Sequence, residues 1–166
     1  MSMNDGWSET DRARMAAYLD TIGSISINQQ IREGARPSYT FQVKFGCAGI
    51  RKLDVLKWLA NMLSTNISRS NIARVCIMDL STKKKRKYES STTRFTITRE
   101  KAYNFLHTVY PYTLVHREEA DAVFVFYTHY VLRNHRTPTP AERNIAEECY
   151  QKMRAIHRSR LVQKPD

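Results

Sequence analysis

The sequence is poor in the features that mark several large classes of protein. Its 166 residues include three cysteines, and their odd number and wide spacing argue against a disulfide framework or zinc site and for a reducing compartment. No signal peptide opens the chain and no apolar run approaches the ~18 residues of a membrane span. We therefore expect an intracellular protein that is not secreted and does not bind a membrane. Glycine-rich phosphate loops and a GxSxG motif are also missing.

Acidic residues are scarce beside basic ones. Lys and Arg total 27 against 16 Asp and Glu, which gives a net charge of +11, and 42% of the residues are hydrophobic. A chain of this length and hydrophobicity fits one compact domain with a buried core. A folded domain with such an excess of cations favours nucleic acid as its partner. The alternative is a basic protein with no nucleic-acid role.

The N-terminal third predicts a helix followed by a β-hairpin. Ser8 is a suitable N-cap for a helix over residues 8–19, and Gly23 ends that helix. Residues 23–32 alternate apolar and polar side chains, with Gln29 as the one break in the apolar series, and residues 39–45 repeat the alternation. Each strand should therefore have one buried and one polar face.

The remaining elements complete an α+β order. Hydrophobic spacing predicts helices and strands in the order α-β-β-α-β-β-α, followed by extra C-terminal helices, around an antiparallel sheet. The later elements are a helix at 50–63, strands at 73–79 and 91–99, and helices at 100–112, 114–134 and 139–160. The final helix should begin at Thr139 as its cap, with Pro140 in first position.

Polar side chains at alternate positions of paired strands suit DNA. A two-stranded ribbon fits the major groove, where Asn and Gln pair with adenine, Arg and Lys with guanine, and hydroxyls with either. The candidate DNA-binding residues are Ser26, Asn28, Gln30, Arg32, Thr40, Gln42, Lys44, Thr92, Arg94 and Thr96. A lysine-rich loop that includes Lys83, Lys84 and Lys85 would add affinity for phosphate without sequence choice. The competing interpretation is a solvated sheet face with no ligand.

One stretch is more specific. Residues 15–23, MAAYLDTIG, resemble the LAGLIDADG motif of homing endonucleases, and the segment PYTLVHREEADAVF resembles the basic segment before that family's long helix. The element order is also that of the family. The resemblance spans most of residues 8–134, so we expect a short tail at 1–7, a LAGLIDADG domain at 8–134, and a C-terminal helix with a basic tail at 135–166.

The resemblance implies a homodimer that binds double-stranded DNA. In the family the motif helix packs against its copy, which here would involve Met15, Ala16, Ala17 and Leu19. The family cleaves DNA with divalent ions, usually Mg²⁺, that the acid at the eighth motif position binds. Ile22 occupies that position and offers no lone pair to a hard cation, so the resemblance predicts impaired cleavage.

Other active-site positions are implied in the same way. The residues that match the family's polar and basic pocket, or that would replace its metal ligand, are Asp20, Lys44, Arg51, His116 and Arg117. One alternative is an active endonuclease that recruits Asp20 or another acid as metal ligand. A second is an RNA maturase or ribosome-associated factor that uses the same basic surface for structured RNA.

Overall fold

The computed structural model describes residues 6–48, 53–65, 92–132 and 137–162, which fold into helices packed on one side of an antiparallel sheet. The α+β architecture predicted from the sequence is confirmed. The predicted strand at 73–79 and the lysine-rich loop lie outside the described residues. The elements are α1 (Glu9–Ile22), β1 (Gly23–Gln30), β2 (Ser38–Ala48), α2 (Leu53–Thr65), β3 (Thr92–Thr98), α3 (Arg99–Val109), α4 (Arg117–Phe126) with a π-helical turn (Tyr127–Val131), and α5 (Pro140–Val162).

Helices α1 and α5 begin at the caps that the sequence predicts. The Ser8 hydroxyl accepts from the Asp11 backbone N–H at 3.1 Å, and the Asp11 carboxylate accepts from the Ser8 backbone N–H at 3.2 Å. Thr139 and Glu142 make the same reciprocal pair at the start of α5, at 3.2 and 2.7 Å. Each reciprocal pair is a capping box, which satisfies backbone N–H donors that the first helical turn leaves without partners.

The sheet is two-sided because its side chains alternate. Strand β2 lies in the centre and pairs antiparallel with β1 and β3. Its inward side chains join those of β1 and β3 in the core. On the other face, Ser26, Gln42 and Thr96 are polar and half-buried. The buried members of the three strands are Ile25, Ile27, Tyr39, Phe41, Val43, Phe45, Phe95 and Ile97.

The two strands of the hairpin end at different residues from those predicted. Strand β1 ends at Gln30, and Ile31 is 72% exposed instead of continuing the buried series. Gln29 does lie on the inward side of β1, but its amide has polar partners there, as described below. Strand β2 is longer than predicted and runs on to Ala48.

The C-terminal helix belongs to the same core as the sheet. Ala146, Cys149 and Met153 of α5 pack with the inward sheet residues and with the buried face of α4. Cys149 is therefore a buried free thiol. Among the helices described, none is both long and apolar enough to cross a membrane.

Gly23 joins α1 directly to β1, and only a glycine fits there. A Cβ atom at this position would lie 2.5 Å from the Leu19 carbonyl oxygen and 2.8 Å from the Leu19 Cα, both backbone atoms. The strand can therefore leave the helix without an intervening loop. This junction places the start of β1 beside the last turn of α1.

We expect Gly23→Ala to destabilise the fold by ~1–3 kcal/mol, because the added methyl group must displace backbone atoms. Urea unfolding checks this, with Ser24→Ala at the exposed next position as the control. The control should change the free energy of unfolding by less than ~0.5 kcal/mol. Equal stabilities for the two variants would contradict the close approach at Gly23.

Candidate functional site

The outward side of the β1–β2 hairpin is a continuous polar surface, which we call the polar sheet face. Antiparallel register places Ser26 opposite Gln42 and Asn28 opposite Thr40. Directly opposed side chains on one face of a sheet lie about 5 Å apart, so they form adjacent pairs. None of these four is buried, which confirms the sidedness predicted from the alternation.

Lys44 is the basic side chain of the polar sheet face nearest to α1. It pairs with Ser24, the residue that follows Gly23, and on its other side with Thr96 of β3. Lys44 and Thr96 are both half-buried. The strand places Lys44 well before its end, at Ala48, so Lys44 lies within the sheet and not at the strand end predicted for it.

The other predicted DNA contacts are placed less completely. Gln30 and Arg32 are exposed, at the end of β1 and just beyond it. Thr92 and Arg94 lie on β3, where Arg94 pairs with Gly46 of β2. Arg51 and the lysines of the predicted loop lie outside the described residues, so their roles stay predictions.

The carboxylate of Asp20 holds the segment that leads into α4. It accepts from the Thr113 hydroxyl at 2.5 Å and from the backbone N–H groups of Leu114 and Val115 at 2.8 and 3.2 Å. Burial raises the pKa of Asp20, but these hydrogen bonds and the nearby His116 outweigh it, and the net pKa is lowered. The carboxylate therefore stays ionised, with both oxygens engaged by three donors.

His116 contacts α5 and a buried glutamate. The resemblance predicts His116 as a pocket residue. Its Nδ1 lies 3.1 Å from Glu119 Oε1 and 3.2 Å from Arg160 Nη1, and the residue is 7% exposed. Arg160 pairs with both oxygens of Glu119, which is fully buried, and also donates to the Val115 carbonyl. In this arrangement His116 is part of the α4–α5 contact.

Arg117 also contacts the segment that leads into α4. Its Nε donates to the Thr113 carbonyl at 2.8 Å, and its guanidinium lies 5.8 Å from the centre of the Tyr110 ring. Arg117 is nevertheless an exposed residue. These contacts account for Arg117 without a ligand, and its predicted pocket role stays a prediction.

The outward face of α1 differs from the predicted dimer contact. Met15, Ala16 and Leu19 have no exposed surface because they pack into the core of their own chain, so they have no surface to offer a second copy. Ala17 is exposed, as are Ala13 and Thr21 one turn to either side. Of the four residues predicted for the helix–helix contact, Ala17 alone faces outward.

Comparison with solved structures identifies the architecture. The chain superimposes on an archaeal intron-encoded homing endonuclease complexed with DNA, with a TM-score of 0.60, 12% identity and coverage of 89% of this chain and 92% of that one. It also superimposes on the homing endonuclease I-CvuI in complex with its target (TM-score 0.53, 14% identity, 87% and 94% coverage) and on the LAGLIDADG homing endonuclease I-GzeII in complex with a DNA target (0.59, 10%, 86% and 43%). The chain has the LAGLIDADG homing-endonuclease fold. The amino-acid sequence matches no family model and no curated protein sequence.

In the LAGLIDADG fold of this chain, the motif residues divide between core and junction. Met15, Ala16 and Leu19 fill the core, Asp20 fixes the segment before α4, and Gly23 permits the turn into β1. Ile22, at the eighth motif place, is half-buried and packs against the core. It adds apolar contact where the motif has a carboxylate.

The side chains at the C-terminal end of α1 do not provide the set of oxygen ligands that a divalent ion prefers. Mg²⁺ prefers carboxylate and other oxygen ligands, but Ile22 supplies none and both oxygens of Asp20 are already hydrogen-bonded. Within the described ranges, no three His, Cys, Asp or Glu side chains come together as a potential metal site. A metal role for Asp20 would place the ion in competition with the segment before α4 for the same carboxylate.

Sequence reasoning missed the buried Glu119 and its partner Arg160. One signal was present: Glu119 lies at helical spacing with Val123 and Phe126, so a carboxylate stands on the apolar face of α4. Such a group must be paired to be buried. The partner was not predictable, because Arg160 is 41 residues away in the chain.

The buried carboxylate makes stability depend on pH. Burial alone would raise the pKa of Glu119, but the hydrogen bond with His116 and the charges of His116 and Arg160 outweigh it, and the pKa is lowered. A lowered folded-state pKa contributes stability above the ordinary glutamate pKa of about 4.3 and loses it as pH falls through the folded value.

We therefore expect Glu119→Gln to destabilise the protein by roughly 2–3 kcal/mol at neutral pH and to flatten the acid side of its stability curve. Denaturant unfolding between about pH 3 and about pH 7 measures both effects. Glu118→Gln, on the exposed side of α4, is the matched control and should follow the wild type. Parallel curves for the wild type and Glu119→Gln would contradict this account.

Proposed function

We propose that the protein is a homodimer that binds a specific site in double-stranded DNA through the polar sheet face, and that Ile22 impairs its cleavage of DNA. The observation that carries the proposal is the set of cross-strand polar pairs along β1 and β2. Asn28 with Thr40 and Ser26 with Gln42 present adjacent donors and acceptors on a two-stranded ribbon. The B-DNA major groove is about 12 Å wide and admits such a ribbon.

Charge supports a duplex partner. The net charge of +11 gives each copy a long-range attraction for phosphate, and two copies double it. Lys44 lies within the polar sheet face itself and Arg32 at its distal end. Phosphate contacts would position the protein, whereas Lys44 and the amide and hydroxyl side chains of the polar sheet face would select bases.

A second copy is supported by the length of the solved neighbours. The chain spans 92% of one of them but 43% of another with the same fold, as expected if the fold occurs both as one unit per chain and as two. On this chain the exposed positions Ala13, Ala17 and Thr21 form an outward stripe along α1. A two-fold contact through that stripe would align two sheets along one pseudo-palindromic site.

Impaired cleavage follows from the end of α1. Ile22 provides no metal ligand, and the carboxylate of Asp20 is held by Thr113, Leu114 and Val115. An active enzyme that uses Asp20 would have to bind the ion through a carboxylate that already accepts those three hydrogen bonds. The geometry therefore favours binding without efficient hydrolysis over the active alternative.

Selection of bound duplexes from a random DNA pool tests the proposal, with structured RNA as competitor at the same salt concentration. We expect enrichment of a pseudo-palindromic sequence and weak competition by RNA, because the deep major groove of A-form RNA excludes the side chains. Enrichment of no sequence would refute specific binding. Stronger competition by RNA would favour the RNA-binding alternative.

Asn28→Ala should relax base preference at one or two positions in each half-site, at a cost of ~1–3 kcal/mol of discrimination per position. The reason is that a bidentate amide contact is lost while phosphate contacts remain. Asn61→Ala, at an exposed position of α2, is the matched control and should leave the selected sequence unchanged. An unchanged profile for Asn28→Ala would remove Asn28 from the reading surface.

The wild-type protein should leave its selected duplex intact in Mg²⁺ or Mn²⁺, whereas Ile22→Glu should nick it, since the carboxylate supplies the missing ligand. A gel assay of supercoiled plasmid carrying the site measures both. Ile22→Gln introduces a side chain with the shape of glutamate but without its charge, and this variant should remain inactive. Metal-dependent cleavage by the wild type would overturn the assignment of impairment to Ile22.

A further inference from the structure

A hydrogen-bonded cluster ties the distal end of the hairpin to α5. Gln29 and Tyr39 are opposed across β1 and β2 on the inward side of the sheet, and the Gln29 amide donates to the Tyr39 hydroxyl at 2.9 Å. The same amide donates to Glu147 of α5 at 3.1 Å, and the Tyr39 hydroxyl donates to the same carboxylate oxygen. We call these three residues the hairpin anchor.

The hairpin anchor is held in place from the helix side. The second carboxylate oxygen of Glu147 accepts from the Gln151 amide at 2.6 Å. Hydrogen bonds from Gln151 and Tyr39 lower the pKa of Glu147, so it remains an ionised acceptor for its donors. The ring of Tyr39 is 8% exposed and packs against Tyr130 and Tyr150, with centroids 5.8 and 6.1 Å away.

The distal end of the hairpin, where the hairpin anchor lies, pairs with fewer strands than the rest of the hairpin. Strand β3 pairs with β2 over Gln42–Ala48, whereas β1 pairs with β2 out to Ser38. Among the described strands, the distal end is therefore a two-stranded ribbon. Isolated ribbons of this kind are only marginally stable in water and twist easily. Its orientation depends on what the inward side chains contact.

The residues of the hairpin anchor alternate with predicted base-reading residues. Asn28 and Gln30 flank Gln29 on β1, and Thr40 follows Tyr39 on β2, with their side chains on the opposite face. Because consecutive strand side chains point to opposite faces, fixing the inward pair also fixes the direction of the outward ones. The contacts of Glu147 with this pair therefore also restrict the orientation of the side chains on the polar sheet face, through the strand backbone.

We propose that Glu147 is a positioning residue for sequence recognition: it acts through Gln29 and Tyr39 to hold the distal hairpin at the angle from which Asn28 and Thr40 read bases. This inference rests on the proposed DNA binding and adds a residue on the helix side of the sheet. Glu147 itself does not reach the polar sheet face. Recognition of the distal base pairs is then set by α5, which the predicted DNA contacts do not include.

Binding-site selection with Glu147→Ala tests the inference, with Glu148→Ala as the control because Glu148 is the exposed next residue of α5 and carries the same charge. We expect Glu147→Ala to reduce base discrimination about threefold to tenfold at the positions that Asn28→Ala also relaxes. Discrimination at the positions that Gln42→Ala relaxes should stay within twofold of the wild type. Glu148→Ala should leave every position unchanged.

A second variant guards against general misfolding. Tyr39→Phe keeps the ring packing and removes the hydroxyl alone, and Tyr150→Phe is its control. Tyr39→Phe should relax the same positions as Glu147→Ala, and neither should add to the effect of Asn28→Ala when the changes are combined. An even loss of affinity across the whole site would show a merely structural role and overturn the inference.

The outcomes separate this inference from the proposed function. A wild-type protein that selects no DNA sequence would refute the proposed function and this inference with it. A wild-type protein that selects a site which Glu147→Ala and Tyr39→Phe leave unchanged would refute the inference alone. Relaxation confined to the Asn28-dependent positions would support both.

Discussion

The register of β1 against β2 is the constraint on which the rest of the structure depends. A shift of one residue would turn every core side chain of one strand toward solvent and every polar one inward, so the register is strongly specified. It is set at one end by Gly23, which joins α1 to the sheet without a loop, and at the other by the pairing of Gln29 with Tyr39 and its contact with α5. One alternation thus provides both the hydrophobic core and the surface proposed to read DNA.

In the last turn of α1, the motif residues that support the fold are present, whereas the eighth motif position has no carboxylate. Asp20 ties α1 to the segment before α4, and Arg160 of α5 holds the same segment through Glu119 and the Val115 carbonyl. Both carboxylates hold this segment through hydrogen bonds, so removal of either one would leave its partners unpaired and destabilise the fold. Ile22 packs against the core beside this framework, so the fold is compatible with an apolar side chain at that position.

Local pattern predicted much of the fold, and long-range contacts account for most of what it missed. Caps and alternation correctly indicated α1, the hairpin and the polar sheet face, because those features are written within a few residues. The break in the alternation at Gln29 was visible, but its partner Glu147 lies 118 residues away and has no local signature. Met15, Ala16 and Leu19 were assigned to a dimer contact from the motif, whereas the core of the chain itself takes up all three.

The claim that the polar sheet face enters the major groove is tested most directly by methylation interference on the selected duplex. Methyl groups at guanine N7 occupy the major groove, where Lys44, Gln42 and Asn28 are proposed to contact bases. The account predicts that methylation at guanines within each half-site blocks binding by the wild-type protein. Full binding to duplex methylated throughout the site would contradict it.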